Sequence, residues 1–537
     1  MKIAIDVTPL RPDGSGGGAM NLCLNLIDGF VKEPDVRVVL LCSGWNKNYL
    51  ENRYATRVEY IVMVESPQAP ASANQKTEKK EGILQKLRVV LQKFPGLYKF
   101  LKRIKGVLNR FFNRKQKDIV LPDNAKADIL FCPFSSPNYK QNGIPTVSII
   151  HDIQHEYYPQ FFTPEENAHR TAFYNRIVKN VEAVICVSDY TKMTFVEKYP
   201  YPNECAYTVH SAIQNRFFGK PNMSILDKLN LNQGSYILYP ANFWEHKNHK
   251  LLLQAFSMYI HQGNTGKLLL TGNALGKEKK FEALFEGLGI KDHVIIAGYV
   301  AEEELYGLYT GAKGVIFPSL FEGFGIPVVE AMHIDKLIAC SNLTSLPEIG
   351  CDAIHYFNPK RPDEIVEGIR YLFETEMTDE IRESYHKRLQ DFSNEKMIRG
   401  YMEVFKRVIA DKERYVYNDQ CEGISPDHWS ADQVFIQPAA SVGAELKLTL
   451  QWPGLPLPDA QIDMRVTGEE PCRIEMKPGQ TREFSWKVEY INWECRMDVL
   501  TMWKPSEVLQ SEDQRSLGIC VLNAELIYPD GSVKSLI

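Results

Sequence analysis

The chain has 537 residues, 44% apolar and 24% charged, with a formal net charge of −5. That length suggests roughly three or four domains, each able to bury a core, and the slight acidity argues against a dedicated nucleic-acid binder. Eleven scattered cysteines with no C-x-x-C pair support neither a disulfide scaffold nor a zinc site.

Met1-Lys-Ile-Ala-Ile-Asp6 starts in a strand pattern, not a charged and apolar leader, and no apolar run is long enough to span a bilayer. A cytoplasmic location is therefore expected. Residues 1–215 read as an α/β domain. Ile3–Val7 is a buried strand, followed by a glycine loop and a helix with Leu22, Leu26, Ile27 and Phe30 on one face. Gly16, Gly17 and Gly18 offer either a phosphate cradle or a flexible turn. Val36–Cys42, Val58–Met63, Asp128–Cys132, Thr146–Ile150 and Ala183–Val187 continue the strand series, as expected of a parallel sheet with helices on both faces. His151 follows one strand directly, at the carboxyl edge where open α/β sheets bind ligands. It can hydrogen-bond a sugar or its phosphate, or cap the next segment. Ser188 and Asp189 read as the cap of a following helix.

An insertion at 65–118 interrupts this domain. A Pro/Ala/Ser connector leads into residues 76–117, which hold fourteen Lys or Arg against Glu78 and Glu81. Leu84, Leu87, Leu91 and Phe94, then Tyr98, Leu101, Ile104, Leu108 and Phe111, recur at helical spacing, so two basic amphipathic helices are expected. Such helices suit an anionic membrane face, where each basic residue adds about 1 kcal/mol. The alternative is packing against the first domain or a partner subunit. RNA binding fits less well, because the aromatics lie on the apolar face and are not interleaved as stacking platforms.

Residues 216–395 read as a second α/β domain, with strands at Ser235–Asn242, Lys267–Gly272, Val294–Gly298, Gly314–Phe317 and Leu337–Ser341. Two such domains leave a cleft suited to a transfer between two substrates. Lys247, in the loop after the first of these strands, is placed to neutralise a diphosphate leaving group, or is a solvated surface lysine. The stretch Phe317–Met332 joins a strand, a loop with Gly323 and Gly325, and a helix beginning near Pro327. Glu322 and Glu330 bracket that junction, which offers N–H donors for phosphate and carboxylates for sugar hydroxyls. An ordinary surface loop with two solvated glutamates gives the same spacing.

Tyr239-Pro-Ala-Asn-Phe-Trp-Glu-His-Lys-Asn-His249, Gly298-Tyr-Val300, Phe317–Ala331 and Ser341-Asn-Leu-Thr-Ser-Leu-Pro-Glu348, in that order, resemble the retaining glycosyltransferases of family 4 over roughly residues 1–415. The resemblance implies the two-Rossmann-domain GT-B architecture. It implies that Glu330 holds the donor ribose and Glu322, in the family's E-x₇-E motif, the transferred sugar. The backbone of Gly323, Phe324, Gly325 and Ile326 then lies beside sugar and phosphate, Lys247 contacts the diphosphate, and His151 approaches from the first domain. Many members carry arginine where this chain has Asn242, so the leaving group meets fewer positive charges here. The family needs no metal or other cofactor, and none is expected.

Residues 396–418 are expected to form a helix crossing back to the first domain, capped by Ser393 or Asn394. Residues 420–537 read as an antiparallel β-sandwich, and within them Asp427-His-Trp429 and Asp513-Gln-Arg-Ser-Leu-Gly518 resemble an accessory module of bacterial polysaccharide glycosyltransferases. Trp429, Trp452, Trp486, Trp493 and Trp503 are either glycan-stacking or core aromatics, and the core reading is favoured. The expected function is a retaining transfer of a hexose, mannose first, from a nucleotide sugar to a saccharide acceptor, lipid-linked where the basic arm reaches a membrane. UDP-hexoses or a deoxysugar donor come next. Alternatives are a nucleotide-sugar epimerase or phosphorylase on the same fold, or an idle glycan-binding scaffold.

Overall fold

The computed structural model describes residues 1–12, 17–64, 122, 125–135, 137–140, 143–199, 201–213, 217, 219–274, 276–412, 419–439, 443–489, 493–509, 511–529 and 531–537. The basic insertion and Gly16 lie outside these residues. Among the described residues, no helix is long and apolar enough to cross a membrane.

The first half contributes β1 (Lys2–Asp6), β2 (Arg37–Ser43), β3 (Glu59–Val64), β4 (Ile129–Cys132), β5 (Thr146–Ile150), β6 (Ala183–Cys186) and β7 (Ala206–Thr208). They form one parallel sheet in the order β3-β2-β1-β4-β5-β6-β7. Its strands are apolar on both sides because both faces are covered. Ile3, Ile5, Leu40 and Phe131 enter one core, whereas Ala4, Val39, Leu41 and Leu130 enter another.

The second half repeats the plan. It contains β8 (Tyr236–Pro240), β9 (Lys267–Thr271), β10 (Val294–Gly298), β11 (Gly314–Phe317), β12 (Leu337–Ser341) and β13 (His355–Phe357), in the order β10-β9-β8-β11-β12-β13. In each sheet the strand order reverses once, between β1 and β4 and between β8 and β11, and such reversal points open the crevice where α/β sheets bind ligands.

The helix Asn394–Ala410 returns to the first half. Ser393 accepts the Lys396 N–H at 3.2 Å as its cap. Tyr401 and Phe405 then pack on Phe30 and Phe131 with ring centroids 5.1–6.4 Å apart. The two helices cross closely at Gly29, where a Cβ would press on the end of the Ile398 side chain at 2.2 Å.

Beyond it, the described residues form nine antiparallel strands in two sheets around one core. The five-stranded sheet contains β14 (Gln420–Ile424), β15 (Ser430–Gln437), β17 (Ala460–Val466), β18 (Cys472–Met476) and β20 (Cys495–Val499). The four-stranded sheet contains β16 (Glu445–Gln451), β19 (Thr481–Lys487), β21 (Cys520–Ile527) and β22 (Val533–Ser535). Trp452, Trp493 and Trp503 are buried in the shared core, which takes them out of any glycan-stacking role.

Candidate functional site

The loop after β5 and the loop after β11 meet at His151 and Gly323, and most of the residues singled out in the sequence lie in the second half. After β8 the chain makes the short turn Glu245–Lys247 and enters the helix His249–His261 through Asn248, whose backbone is left-handed at φ 61°. Asn248 spends its amide on holding the turn in place, donating to the carbonyls of Pro318 at 3.2 Å and Pro359 at 2.8 Å. The Leu320 N–H donates to the His246 carbonyl at 2.8 Å. These bonds stitch the lysine turn to the loop after β11. Lys247 Nζ consequently meets Glu322 Oε1 at 2.6 Å, with the two side chains only 17% and 13% exposed. The ammonium also lies 5.3 Å from the centre of the Phe317 ring.

The Glu322 loop is fixed from a third strand end. Thr344 Oγ1 accepts the Glu322 N–H at 3.1 Å, and the buried Ser345 hydroxyl donates to the carbonyls of Glu322 at 3.1 Å and Phe324 at 2.8 Å. Gly325, at φ 114°, turns the chain into the helix Ile326–His333, with Pro327 in its first turn. A positive φ at this junction is what demands glycine. Glu330 is 0% exposed and accepts the Tyr309 hydroxyl at 3.0 Å. The two acids of the E-x₇-E pair thus hold different partners: Glu322 faces the lysine, and Glu330 is anchored inside the second half.

His151 reaches the site from the first half. Its Nε2 donates to the Pro133 carbonyl at 2.7 Å, and burial lowers its pKa, so the ring is neutral with Nδ1 as an acceptor. The His151 loop touches the Glu322 loop directly: a Cβ on Gly323 would fall 1.7 Å from the His151 carbonyl oxygen. Asn242 is exposed, and its side-chain oxygen accepts the Asn273 N–H at 2.7 Å, bracing the loop after β9. Gly17 is the exposed first residue of the helix Gly17–Phe30, at φ 54°.

Chemically, the crevice combines a cation, a carboxylate paired to it, a helix N-terminus and a neutral imidazole across the gap. That set is suited to a substrate with an anionic leaving group and neighbouring hydroxyls.

Residues 224–391 match the family described as Glycosyl transferases group 1, and residues 16–215 match Glycosyltransferase Family 4. The chain belongs to the group 1, family 4 glycosyltransferases. Members of this retaining family with the GT-B fold share its two Rossmann-like sheets, and here a C-terminal β-sandwich is added. The O-antigen chain mannosyltransferase B of Escherichia coli is 27% identical over 223 residues, which cover 41% of this chain and 58% of that relative. The chain therefore spans little more than half the length of this curated relative. The sucrose-phosphate synthase of Thermosynechococcus elongatus superposes with a TM-score of 0.55 at 15% identity, over 76% of this chain and 99% of that one. Anabaena HepE, solved in complex with UDP-glucose, gives 0.51 at 17% identity, over 76% and 100%. These two likenesses concern the fold.

Sequence reasoning missed the residues that position the site. Asn248 and Ser345 are small polar residues in loops, and only their hydrogen bonds to strand ends far away in the chain distinguish them. Tyr309 sits on a helix whose apolar pattern reads as core, and its hydroxyl gives no local signal.

Proposed function

We propose that this chain is a retaining glycosyltransferase that moves a hexose, mannose first, from a nucleoside diphosphate sugar to a saccharide acceptor in bacterial surface polysaccharide synthesis. The observation that carries this reading is the Lys247–Glu322 contact at 2.6 Å, set against the His151 loop of the opposite half. Lys247 exchanges its carboxylate partner for the donor's diphosphate and stabilises the charge that develops as the bond to the anomeric carbon breaks. Glu322, released from the lysine, accepts hydrogen bonds from the sugar's hydroxyls, and Nδ1 of His151 accepts one from the other side. Glu330, fixed by Tyr309, takes the ribose hydroxyls, and the backbone from Gly323 to Ile326 lies along sugar and phosphate. Mannose is supported by the O-antigen mannosyltransferase among the relatives.

The test is a panel of nucleotide sugars, GDP-mannose first, read by release of nucleoside diphosphate. Turnover of one donor, abolished in Glu330→Ala, is expected. Failure of the protein to bind any of them would end the proposal. The fourteen basic residues at 76–117 support a lipid-linked acceptor at the cytoplasmic face of an anionic membrane. Deleting them is expected to release the protein from anionic vesicles, and unchanged co-sedimentation would refute the membrane role.

A further inference from the structure

Glu348 belongs to the second half, in the turn of helix Leu346–Gly350 after β12, but its carboxylate is spent on the first half. Oε1 accepts the backbone N–H of Asp189 at 2.8 Å, and Oε2 accepts that of Tyr190 at 3.0 Å. These are the first two residues of the helix Asp189–Lys198. His210 Nε2 supplies a further contact to Oε1 at 2.6 Å, on a ring lying 6.0 Å from Phe324 and 5.8 Å from Phe392. A carboxylate on the orphan N–H groups of a first helical turn also meets the positive end of the helix dipole. Burial pushes the Glu348 carboxyl up, but the bonds from His210, Asp189 and Tyr190 outweigh it and hold the group below the usual glutamate value. The backbone behind it is anchored as well, since Arg388 donates to the carbonyls of Glu348 at 2.7 Å and Ile349 at 2.9 Å.

The same helix end grips the Glu322 loop. Ser188, its N-cap, accepts the Thr191 N–H at 3.0 Å and donates its hydroxyl to the Gly323 carbonyl at 2.6 Å. Thr191 Oγ1 donates to that carbonyl at 2.9 Å. One turn of helix is therefore held by Glu348 on one side and holds Gly323 on the other, and Gly323 is the residue pressed against His151. Asp189, His210 and Glu348 lie close enough to suggest a metal cluster, but the N–H donors already account for how Glu348 is oriented.

We propose that Glu348 is a positioning residue, a clasp that fixes the start of the helix Asp189–Lys198 and, through Ser188 and Thr191, sets the Gly323 carbonyl and with it the approach of Glu322 to His151. Its effect on turnover rests on the donor-site reading above, whereas the clasp itself rests on hydrogen bonds between the halves.

Full-length Glu348→Ala and the isosteric Glu348→Gln test it. In Glu348→Ala, kcat for the active nucleotide sugar is expected to fall about 10–100-fold, as for a misplacement of about 1 Å, with donor KM within about threefold. Amide hydrogen exchange of residues 189–191 is expected to quicken about tenfold or more. Glu348→Gln, which keeps one acceptor oxygen and the volume, is expected to fall between Glu348→Ala and the natural protein in both measures, and decides the matter alone if Glu348→Ala does not fold. Unchanged exchange at 189–191 would overturn the clasp. Parallel loss of kcat and donor affinity would overturn it too, by reporting damage inside the second half. If the natural protein turns over no nucleotide sugar, the donor-site reading fails by itself, and the exchange measurement still decides the clasp.

Discussion

A single methyl group at position 323 measures how closely the two halves must meet. The Cβ of Gly323→Ala would lie 1.7 Å from the His151 carbonyl oxygen and 3.1 Å from Asp152 Cβ, where real Cβ atoms stay outside 3.0 Å. Gly323 has no positive φ, so the collision alone opposes the substitution. The obstacle is backbone and cannot rotate away; the loops must part by about 1.3 Å, which costs about 1–3 kcal/mol of overpacking. The same parting strains the bond from Ser188 Oγ to the Gly323 carbonyl, now 2.6 Å, because Ser188 sits on the His151 side of the contact. With His151 and Glu322 misplaced by more than 1 Å, kcat is expected to fall about 100-fold. Nucleoside diphosphate affinity, which draws on the second half, is expected to stay within about threefold. Release of nucleoside diphosphate measures the first quantity and titration calorimetry the second. Gly287→Ala, whose Cβ meets open space, is the control. A Gly323→Ala protein with full turnover would refute the argument that catalysis needs this contact.

Two further outcomes concern the second half. Lys247→Met strands a carboxylate that is only 13% exposed and is expected to cost about 3 kcal/mol. Adding Glu322→Gln is expected to restore about 1–3 kcal/mol, and additive single effects in urea denaturation would show that the two groups do not interact. Burial, aided by Lys247, pushes the His249 imidazole down to about 3, on a ring stacked 4.2 Å from Phe243. Its folded value lies below the unfolded one, so the neutral ring contributes its full stability above a pH of about 6.5. That contribution is lost at about 1.4 kcal/mol per pH unit as the pH falls toward 3. Urea midpoints at pH 7 and pH 5 are expected to differ less in His249→Phe, and an equal difference would refute the assignment.

What could be read from the sequence was whatever is written locally. Both parallel sheets follow from apolar runs such as Val294–Gly298 and Gly314–Phe317, which are strands with those bounds. Ser188 and Ser393 cap their helices as their side-chain chemistry suggests. The strands that escaped detection are short or mixed. β7 and β13 have three residues each, and β18 and β20 interleave arginine and acids with their buried positions. Lys247 and Glu322 were both legible as charged residues at strand ends, but their pairing joins positions 75 apart in the chain. The Glu348 carboxylate reaches N–H groups 159 and 158 residues away, and no local pattern encodes that distance. Asn242 reads as a departure from the family's arginine, and only the fold reveals the bond to Asn273 that gives it structural work.

The return helix has a consequence for how the chain is made. Phe131, in the middle of the first sheet, is sealed by Phe405, a residue that leaves the ribosome some 270 positions later. At 5–20 residues per second, the amino-terminal sheet waits about 14–55 s for its lid. During that interval Phe30 and Phe131 remain open to wrong partners. Whatever keeps the nascent chain from aggregating has to act over this window, and early truncations of the return helix should fail by misfolding before they fail by lost chemistry.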